Sequence, residues 1–272
     1  MIDYNNLKLY YFTGTGNTLK IAKDIAEKIE SATLIPIPNL MKEGKRIVIE
    51  GEMIGFIFPV YFARPPVFIE EFIEIAEFRN TSYIFAVTNG GGLFGQTLKI
   101  FNKLLNKKGK ELAAGFTIKM PGNHPKIASL QRKQHNDFYR QEKNRVNEIV
   151  EYIIKRKSHK LETNFGLLGS FFSHCAFKGL YKRSQVKELD KALWVNDDCA
   201  GCGICKKVCP VGNIIDSEIE SKWQNQCINC LACYHNCPQK AIQLNKKAND
   251  FARYHHPEIE LEEIINQKKL II

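Results

Sequence analysis

One cysteine pattern occurs twice in this chain, 28 positions apart, and it limits the fold more strongly than any other feature of the sequence. Each copy reads Cys-x2-Cys-x2-Cys-x3-Cys-Pro. Three cysteines at positions i, i+3 and i+6 bring three thiolates around one small volume, as a [4Fe-4S] cluster requires. The doubled pattern predicts two clusters, whose ligands are Cys199, Cys202, Cys205, Cys209, Cys227, Cys230, Cys233 and Cys237.

Two other roles for clustered cysteines explain this pattern less well. Structural zinc usually takes cysteines in separated pairs, and tetrahedral zinc does not call for triplets followed by Cys-Pro. Disulfides need an oxidising compartment, and the chain does not open with the charged start and apolar run of a signal peptide. We therefore expect reduced cysteines and a cytoplasmic location. The apolar stretch 165–181 contains glycines, a histidine and a lysine, so we expect no transmembrane segment.

Residues 194–246 resemble the bacterial-type two-cluster ferredoxins, because both cysteine runs match the motif of that family. In those proteins the fourth cysteine of each run binds the cluster of the other run. The resemblance implies a small α+β domain that folds around its metal centres. It also implies two crossed ligand sets, one of Cys199, Cys202, Cys205 and Cys237 and one of Cys227, Cys230, Cys233 and Cys209. Because the cysteines already complete both sets, His235 inside the second run is expected to be a surface residue.

A Gly/Thr-rich loop follows the first apolar run, residues 7–12. Helical spacing of apolar residues begins at Ile21 and continues to Ile29, so the loop lies between a strand and the start of a helix. Backbone N–H groups and the positive end of the helix dipole converge there, which favours a phosphate over an ordinary capped turn. The predicted phosphate-binding residues are Thr13, Gly14, Thr15, Gly16, Asn17 and Thr18.

The same loop resembles the phosphate loop of the flavodoxins. It has neither the lysine of a P-loop nor the three glycines of the dinucleotide fingerprint. It matches the flavodoxin pattern T-x-T-G-x-T at every fixed position. Since flavodoxins bind FMN, the resemblance implies an FMN whose phosphate is held by backbone and hydroxyl donors.

Four further apolar runs, at residues 32–37, 53–60, 83–88 and 112–118, indicate buried parallel strands. Helical patterns lie between them, so residues 1–157 are predicted to form a doubly wound α/β domain. Its five-stranded parallel sheet has the flavodoxin-like strand order 2-1-3-4-5. The remaining chain divides into a connector at 158–193, the cluster domain at 194–246 and a tail at 247–272. Residues 260–265 of the tail are expected to form a helix that packs back on the body of the protein.

Loops at the carboxyl ends of the third and fourth strands are predicted to hold the flavin ring, because ligands of such sheets lie there. These loops also match the positions at which flavodoxins grip the isoalloxazine. The predicted residues are Pro59, Val60, Tyr61, Phe62, Thr88, Asn89, Gly90, Gly91 and Gly95. Tyr61 or Phe62 would stack on the ring, with core packing as the alternative. His124, after the fifth strand, is a proton donor, a substrate contact or an ordinary loop residue.

The net charge of +10 is concentrated in residues 120–195, which hold 15 Lys plus Arg against seven Asp plus Glu. No nucleic-acid motif accompanies this charge. We predict that it attracts a protein electron donor or acceptor with an acidic surface, the alternative being a solvated helical face.

The order of the two parts resembles a family of flavodoxin–ferredoxin fusion proteins, for which electron transfer between clusters and flavin is expected. Two other functions stay open. One is an FMN-dependent reductase of a small molecule, with His124 or Tyr61 as proton donor. The other is a redox sensor whose basic region binds a target.

The doubled motif predicts eight irons and eight sulfides per chain after anaerobic reconstitution. Iron and acid-labile sulfide analysis measures both. Far fewer than eight irons after full reconstitution would contradict the two-cluster assignment.

Overall fold

A computed structural model describes residues 7–42, 46–164, 183–216, 221–245 and 251–268. Its strands are β1 Leu7–Tyr11, β2 Thr33–Pro36, β3 Ile47–Glu50, β4 Met53–Pro59, β5 Ala76–Arg79, β6 Tyr83–Gly90, β7 Ala114–Lys119, β8 Leu193–Val195, β9 Ile214–Asp216, β10 Ser221–Trp223 and β11 Ile242–Leu244. Its α-helices are α1 Asn17–Lys28, α2 Ile37–Met41, α3 Val67–Ile75, α4 Thr97–Asn106, α5 Pro125–Gln131, α6 His135–Ile154, α7 Arg183–Lys187, α8 Ile204–Val208, α9 Ala232–His235 and α10 Leu261–Asn266. Two short 3-10 helices are Arg132–Gln134 and Glu188–Ala192.

Five parallel strands form the main sheet in the order β2-β1-β4-β6-β7. Counting only these strands along the chain, the order is 2-1-3-4-5, which confirms the predicted flavodoxin-like topology. The order reverses between β1 and β4, so the loops after these two strands open into the same crevice. The phosphate loop and the loop that begins at Val60 are thereby brought together.

The central strands are buried on both faces, as their continuous apolar runs predicted. Helices α1 and α6 pack together on the sheet, and α3 packs on α4. Gly55 in β4 pairs with Leu9 and Phe85 in the neighbouring strands. A Cβ atom at Gly55 would lie 2.5 Å from the Phe85 ring. The core therefore needs glycine here because the neighbouring side chains occupy the space above it.

A second parallel pair, β3 with β5, lies outside the main sheet and was missed by the sequence reasoning. The strands have four residues each, and β5 follows α3 without an intervening loop. Runs this short carry too few periods to be separated from helix or loop.

The cluster domain is built from two small antiparallel pairs, β8 with β11 and β9 with β10. Ile214 and Ile242, which occupy equivalent positions of the repeat, are both buried. Val208 and Ile228 belong to the same hydrophobic core as the main sheet. The two parts of the chain therefore share one apolar interior along the contact between them.

The tail turns back onto the body of the protein, and its predicted helix is present as α10. Residues 158–164 of the connector run beside β7, where the His159 N–H donates to the Ala113 carbonyl over 2.9 Å. The rest of the apolar connector segment, including Cys175, lies outside the described residues. Among the described residues, no helix has both the length and the apolar character needed to cross a membrane.

Two buried carboxyl groups meet where α1 packs on α6. Asp24 Oδ2 and Glu142 Oε1 each have no hydrogen-bond partner among the described residues. Burial raises the pKa of Glu142 to about 8, and the negative charge of Asp24 adds to this shift. One shared proton would satisfy both oxygens, while Lys20 pairs with the other Asp24 oxygen at 2.5 Å.

We predict that Glu142→Gln makes the protein less sensitive to alkaline pH. Because the folded-state pKa of Glu142 is raised from 4.5 to about 8, its favourable contribution is complete below pH 4.5 and is lost as the pH rises through 8. Glutamine imitates the protonated acid. Between pH 6 and pH 9 the wild type should lose about 1–3 kcal/mol more unfolding free energy than the variant.

Urea unfolding followed by circular dichroism at the two pH values measures this difference. Glu151→Gln is the matched control, because Glu151 lies on the same helix with its side chain 72% exposed. Equal pH dependence in the wild type and Glu142→Gln would contradict the prediction.

Candidate cofactor site and cysteine clusters

The phosphate loop, residues 13–18, has the donor arrangement that an anion requires. It ends at the N-terminus of α1, and the Gly16 N–H donates to Thr13 Oγ1 over 3.0 Å. Within the described part of the chain, the backbone N–H groups of Gly14, Thr15, Asn17 and Thr18 have no protein acceptor. Four such donors beside the positive end of a helix dipole fit the phosphate of FMN.

Six of the nine predicted flavin-ring residues line a narrow cleft next to this loop. Its lining comprises Thr13, Gly14, Thr15, Asn17, Thr18, Pro59, Val60, Tyr61, Asn89, Gly90, Gly91, Pro121, Gly122 and Asn123. The open volume is about 30 Å³, whereas small-molecule pockets usually hold about 300 Å³ or more. The site thus fits the phosphate end of FMN, and the loops must separate for the ring to enter.

Helix α5 covers the cleft on the side of the fourth and fifth strands. The Gln131 side chain donates to the Gly91 carbonyl over 2.8 Å and accepts from the Gly122 N–H over 3.0 Å. This single side chain therefore ties together the two loops that border the predicted ring position. Nothing in the local sequence of α5 predicted the contact, since glutamine is common on exposed helices.

Tyr61 faces the phosphate loop and is only 5% exposed. Its hydroxyl has no hydrogen-bond partner among the described residues. Burial raises the pKa of Tyr61 well above its usual range, and the nearby Cys230 and Cys227 add to the shift. The adjacent Phe62 is half-buried, and Gly95 packs directly against Ala63. Thr88 is buried within the sheet, where its hydroxyl reaches the Phe116 carbonyl at 3.5 Å.

The second cysteine run is seated on the phosphate loop. A Cβ atom at Gly14 would lie 2.8 Å from the Cys230 carbonyl oxygen and 3.2 Å from Cys230 Cβ. Asn123 Nδ2 donates to the carbonyls of Asn229 and Cys230, over 3.2 and 3.3 Å. A predicted cluster ligand thus lies against the loop that is predicted to bind a phosphate.

His235 strengthens the same contact, although its position inside the second motif suggested an ordinary surface residue. It is 3% exposed, and its Nδ1 accepts the Tyr254 N–H over 3.0 Å. The proton must therefore lie on Nε2, which is 2.6 Å from the Asn123 carbonyl oxygen. The sequence reasoning failed here because burial of His235 depends on Asn123, 112 residues away.

The C-terminal tail contacts both the phosphate loop and the cluster domain. Gln267 donates to the Thr13 carbonyl and accepts from the Thr13 N–H. The His256 N–H donates to the Thr15 carbonyl over 2.8 Å, and the Tyr254 hydroxyl lies 2.5 Å from Asn17 Oδ1. Arg253 stacks on Tyr234 of the cluster domain, 3.4 Å from the ring centroid. These contacts connect the phosphate loop to the second cysteine run.

Three of the four cysteines in one predicted crossed set form the buried centre of the cluster domain. Cys209, Cys230 and Cys233 are buried, and burial raises the pKa of their thiols. The pKa of Cys233 is raised further by Cys230, Cys209 and Cys227, the other members of that set, and also by Cys205 of the other set. Iron binding must displace protons from these thiols, since the thiolate is the ligand.

The other predicted crossed set lies nearer the surface. Cys202 is exposed, whereas Cys199, Cys205 and Cys237 are half-buried. Among the described residues, none of the eight motif cysteines forms a disulfide. No three described His, Cys, Asp or Glu side chains converge to hold a single metal ion. A [4Fe-4S] cubane requires a different arrangement of ligands, because its four thiolates surround a cluster and do not converge on a single ion.

Comparison with known proteins agrees with the cysteine motif. Residues 198–242 match the family model described as a 4Fe-4S dicluster domain. A 63-residue stretch is 41% identical to a subunit of the ion-translocating oxidoreductase complex of Methanosarcina acetivorans. This match covers 23% of the chain and 24% of the relative, so the chain spans about a quarter of the length of that curated protein.

Two solved structures show weak similarity to this chain. A candidate flavoprotein from Bacteroides uniformis has 16% identity and a TM-score of 0.33, covering 47% of this chain and 97% of its own. The Trp repressor binding protein of Bacillus subtilis has 12% identity and a TM-score of 0.33, covering 56% of this chain and 99% of its own. The chain thus joins a flavodoxin-like parallel sheet to a segment similar to 4Fe-4S dicluster domains.

We predict that Gly14→Ala weakens the packing of the second cysteine run on the phosphate loop. The new methyl group would lie 2.8 Å from the Cys230 carbonyl oxygen, which is backbone and cannot rotate away. We expect a loss of about 1–3 kcal/mol in unfolding free energy. Hydrogen exchange should also become faster at residues 229–231.

Gly90→Ala is the matched control in the same cleft, because its nearest neighbour would be Val60 Cβ at an ordinary 3.5 Å. If the two variants exchange alike at residues 229–231, the contact does not hold the cluster loop in place.

Proposed function

We propose that this protein is an electron-transfer iron–sulfur flavoprotein that passes single low-potential electrons between two [4Fe-4S] clusters and FMN. The observation that carries the proposal is the contact between Cys230 and Gly14, which joins a cluster ligand to the phosphate loop. When bound, FMN would supply a carrier that accepts one or two electrons, whereas each cluster exchanges one.

The packing supports an order for the two clusters. We call the set Cys227, Cys230, Cys233 and Cys209 the inner set, and the set Cys199, Cys202, Cys205 and Cys237 the outer set. The inner set is more buried and touches the phosphate loop, while Cys202 of the outer set is exposed. Electrons would therefore pass between an outside partner and the outer cluster, then through the inner cluster to the flavin site.

The closed cleft favours the carrier over the reductase. A reductase needs room for a substrate beside the flavin, and the Cys230 loop and α5 pack against residues that line the cleft. Tyr61 is buried against the phosphate loop and His124 is exposed. These two candidate proton donors therefore do not face a common chamber.

The partner would be a protein electron donor or acceptor that approaches the exposed outer set. Several basic residues of region 120–195 are already paired within the protein. Arg145 pairs with Glu148 and Glu162, and Arg183 pairs with Glu70 and Glu74. Steering of an acidic partner would therefore depend on the remaining lysines and arginines. The similarity of 63 residues to a component of an oxidoreductase complex is consistent with a protein partner.

The proposal is tested by anaerobic stopped-flow reduction of the reconstituted protein with dithionite. In the wild type, bleaching of the clusters should precede bleaching of the flavin. Cys230→Ser alters the inner set, so its flavin should be reduced only by direct reaction with dithionite, at least about tenfold more slowly.

Cys202→Ser is the matched control, because it alters the outer set and leaves the inner ligands in place. It should keep rapid transfer from the inner cluster to the flavin. Iron and flavin contents of each variant show which centres are present. Clusters that are reduced in the wild type without passing electrons to the flavin would overturn the proposed function.

A further inference from the structure

Asp190 places a buried carboxylate directly behind the inner set. It belongs to the 3-10 helix Glu188–Ala192 at the end of the connector, and it is 2% exposed. None of the described lysine or arginine side chains forms an ion pair with it. Its neighbour Lys191 pairs with Glu188 instead, at 2.8 Å.

Hydrogen bonds connect this carboxylate to the inner set through one residue. Asn213 Nδ2 and the Asn225 N–H both donate to Asp190 Oδ2, over 2.8 and 2.9 Å. The Asn213 N–H donates to Cys209 Sγ over 3.2 Å. Asn213 is itself 3% exposed, so the path from the carboxylate to the sulfur is shielded from water.

The position of Asn213 is held firmly. Its Oδ1 accepts the N–H groups of Gln224 and Gln226, over 3.1 and 2.7 Å. Asn213 can therefore give its Nδ2 to Asp190 and its backbone N–H to the sulfur at the same time. The two oxygens of Asp190 differ in their hydrogen bonds, because Oδ2 accepts two and Oδ1 has no partner among the described residues. Asp190 also lines a surface cleft of about 340 Å³.

We propose that Asp190 is a positioning residue that lowers the reduction potential of the inner cluster. Reduction adds one negative charge to a cluster, and a nearby fixed carboxylate opposes that addition. The effect is strong only where solvent does not screen it, which is the situation of a 2% exposed side chain. A lower inner potential drives electrons onward to the flavin site, so the inference rests on the proposed function.

The test is potentiometric titration of both clusters in Asp190→Asn and in Glu188→Gln. Asparagine keeps the shape and can still accept from Asn213 and Asn225 through its Oδ1, but it removes the charge. We expect one cluster of Asp190→Asn to become easier to reduce, with a change on the order of tenfold in its equilibrium constant. The other cluster should change much less, and the shift should persist at high salt.

Glu188→Gln removes the same charge two residues away, where the side chain is 54% exposed, and it should leave both potentials unchanged. If Asp190→Asn loses iron, Asp190→Ser provides a second neutral variant with a hydroxyl acceptor. Unchanged potentials with eight irons bound, equal shifts in Glu188→Gln, or loss of iron from both neutral variants would overturn the inference.

The titration separates this inference from the proposed function. It can be made on flavin-free protein, so a shifted potential supports the role of Asp190 even if the clusters never reduce the flavin. Conversely, rapid reduction of the flavin without a shift of the cluster potentials in Asp190→Asn would support electron transfer and show that Asp190 does not tune it. In flavin-loaded protein, a shift in the inner cluster should also move the one-electron equilibrium from the flavin towards that cluster.

Discussion

The arrangement of this protein depends on a backbone contact between the Cys230 loop and the Gly14 loop. Because there is no side chain at Gly14, the peptide that carries a cluster ligand can approach the turn where a phosphate would bind. Interiors are close-packed, so even one methyl group at this point would separate the two loops. The hydrophobic core also crosses this boundary through Val208 and Ile228, which makes independent motion of the two parts costly.

The tail couples the Cys230 loop to the Gly14 loop, because it binds residues on both sides of their contact. Gln267, His256 and Tyr254 each bind a residue of the phosphate loop, while Arg253 holds the second cysteine run. A displacement of the phosphate loop would therefore also displace the tail, which packs on the cluster domain. Four N–H groups of the loop have no acceptor in the described part of the chain despite this crowding, because the tail binds mainly the carbonyl groups and side chains of the loop.

Charge varies from the cleft, through the inner set, to the far side of the cluster domain. The start of α1 presents the positive end of its helix dipole to the cleft, and Cys230 of the inner set packs against the same loop. Behind the inner set lies Asp190, whose charge no described cation neutralises. The far side of the cluster domain exposes Cys202. Burial and charge therefore differ between the two ends of the cluster domain, and a difference in potential is the physical consequence.

Local patterns in the sequence predicted the phosphate loop, the strand order of the main sheet and both cysteine runs, because each depends on residues close together in the chain. The pair β3 and β5 was missed because its strands are short. His235 was misjudged because its burial is produced by distant loops. Gln131 and Gln267 gave no signal, since their roles depend on partners brought close only by the fold.

The sequence by itself determined the order of the main sheet and the match to a 4Fe-4S dicluster domain, and it predicts the cluster ligands and the phosphate loop, since these depend on spacing and residue type. Only the tertiary structure decided which cysteine set touches that loop, because the two runs are nearly identical locally. The physical reason is packing. Cys230 and Asn229 of the second run pack against Gly14 and Asn123, whereas Cys202 of the first run is exposed.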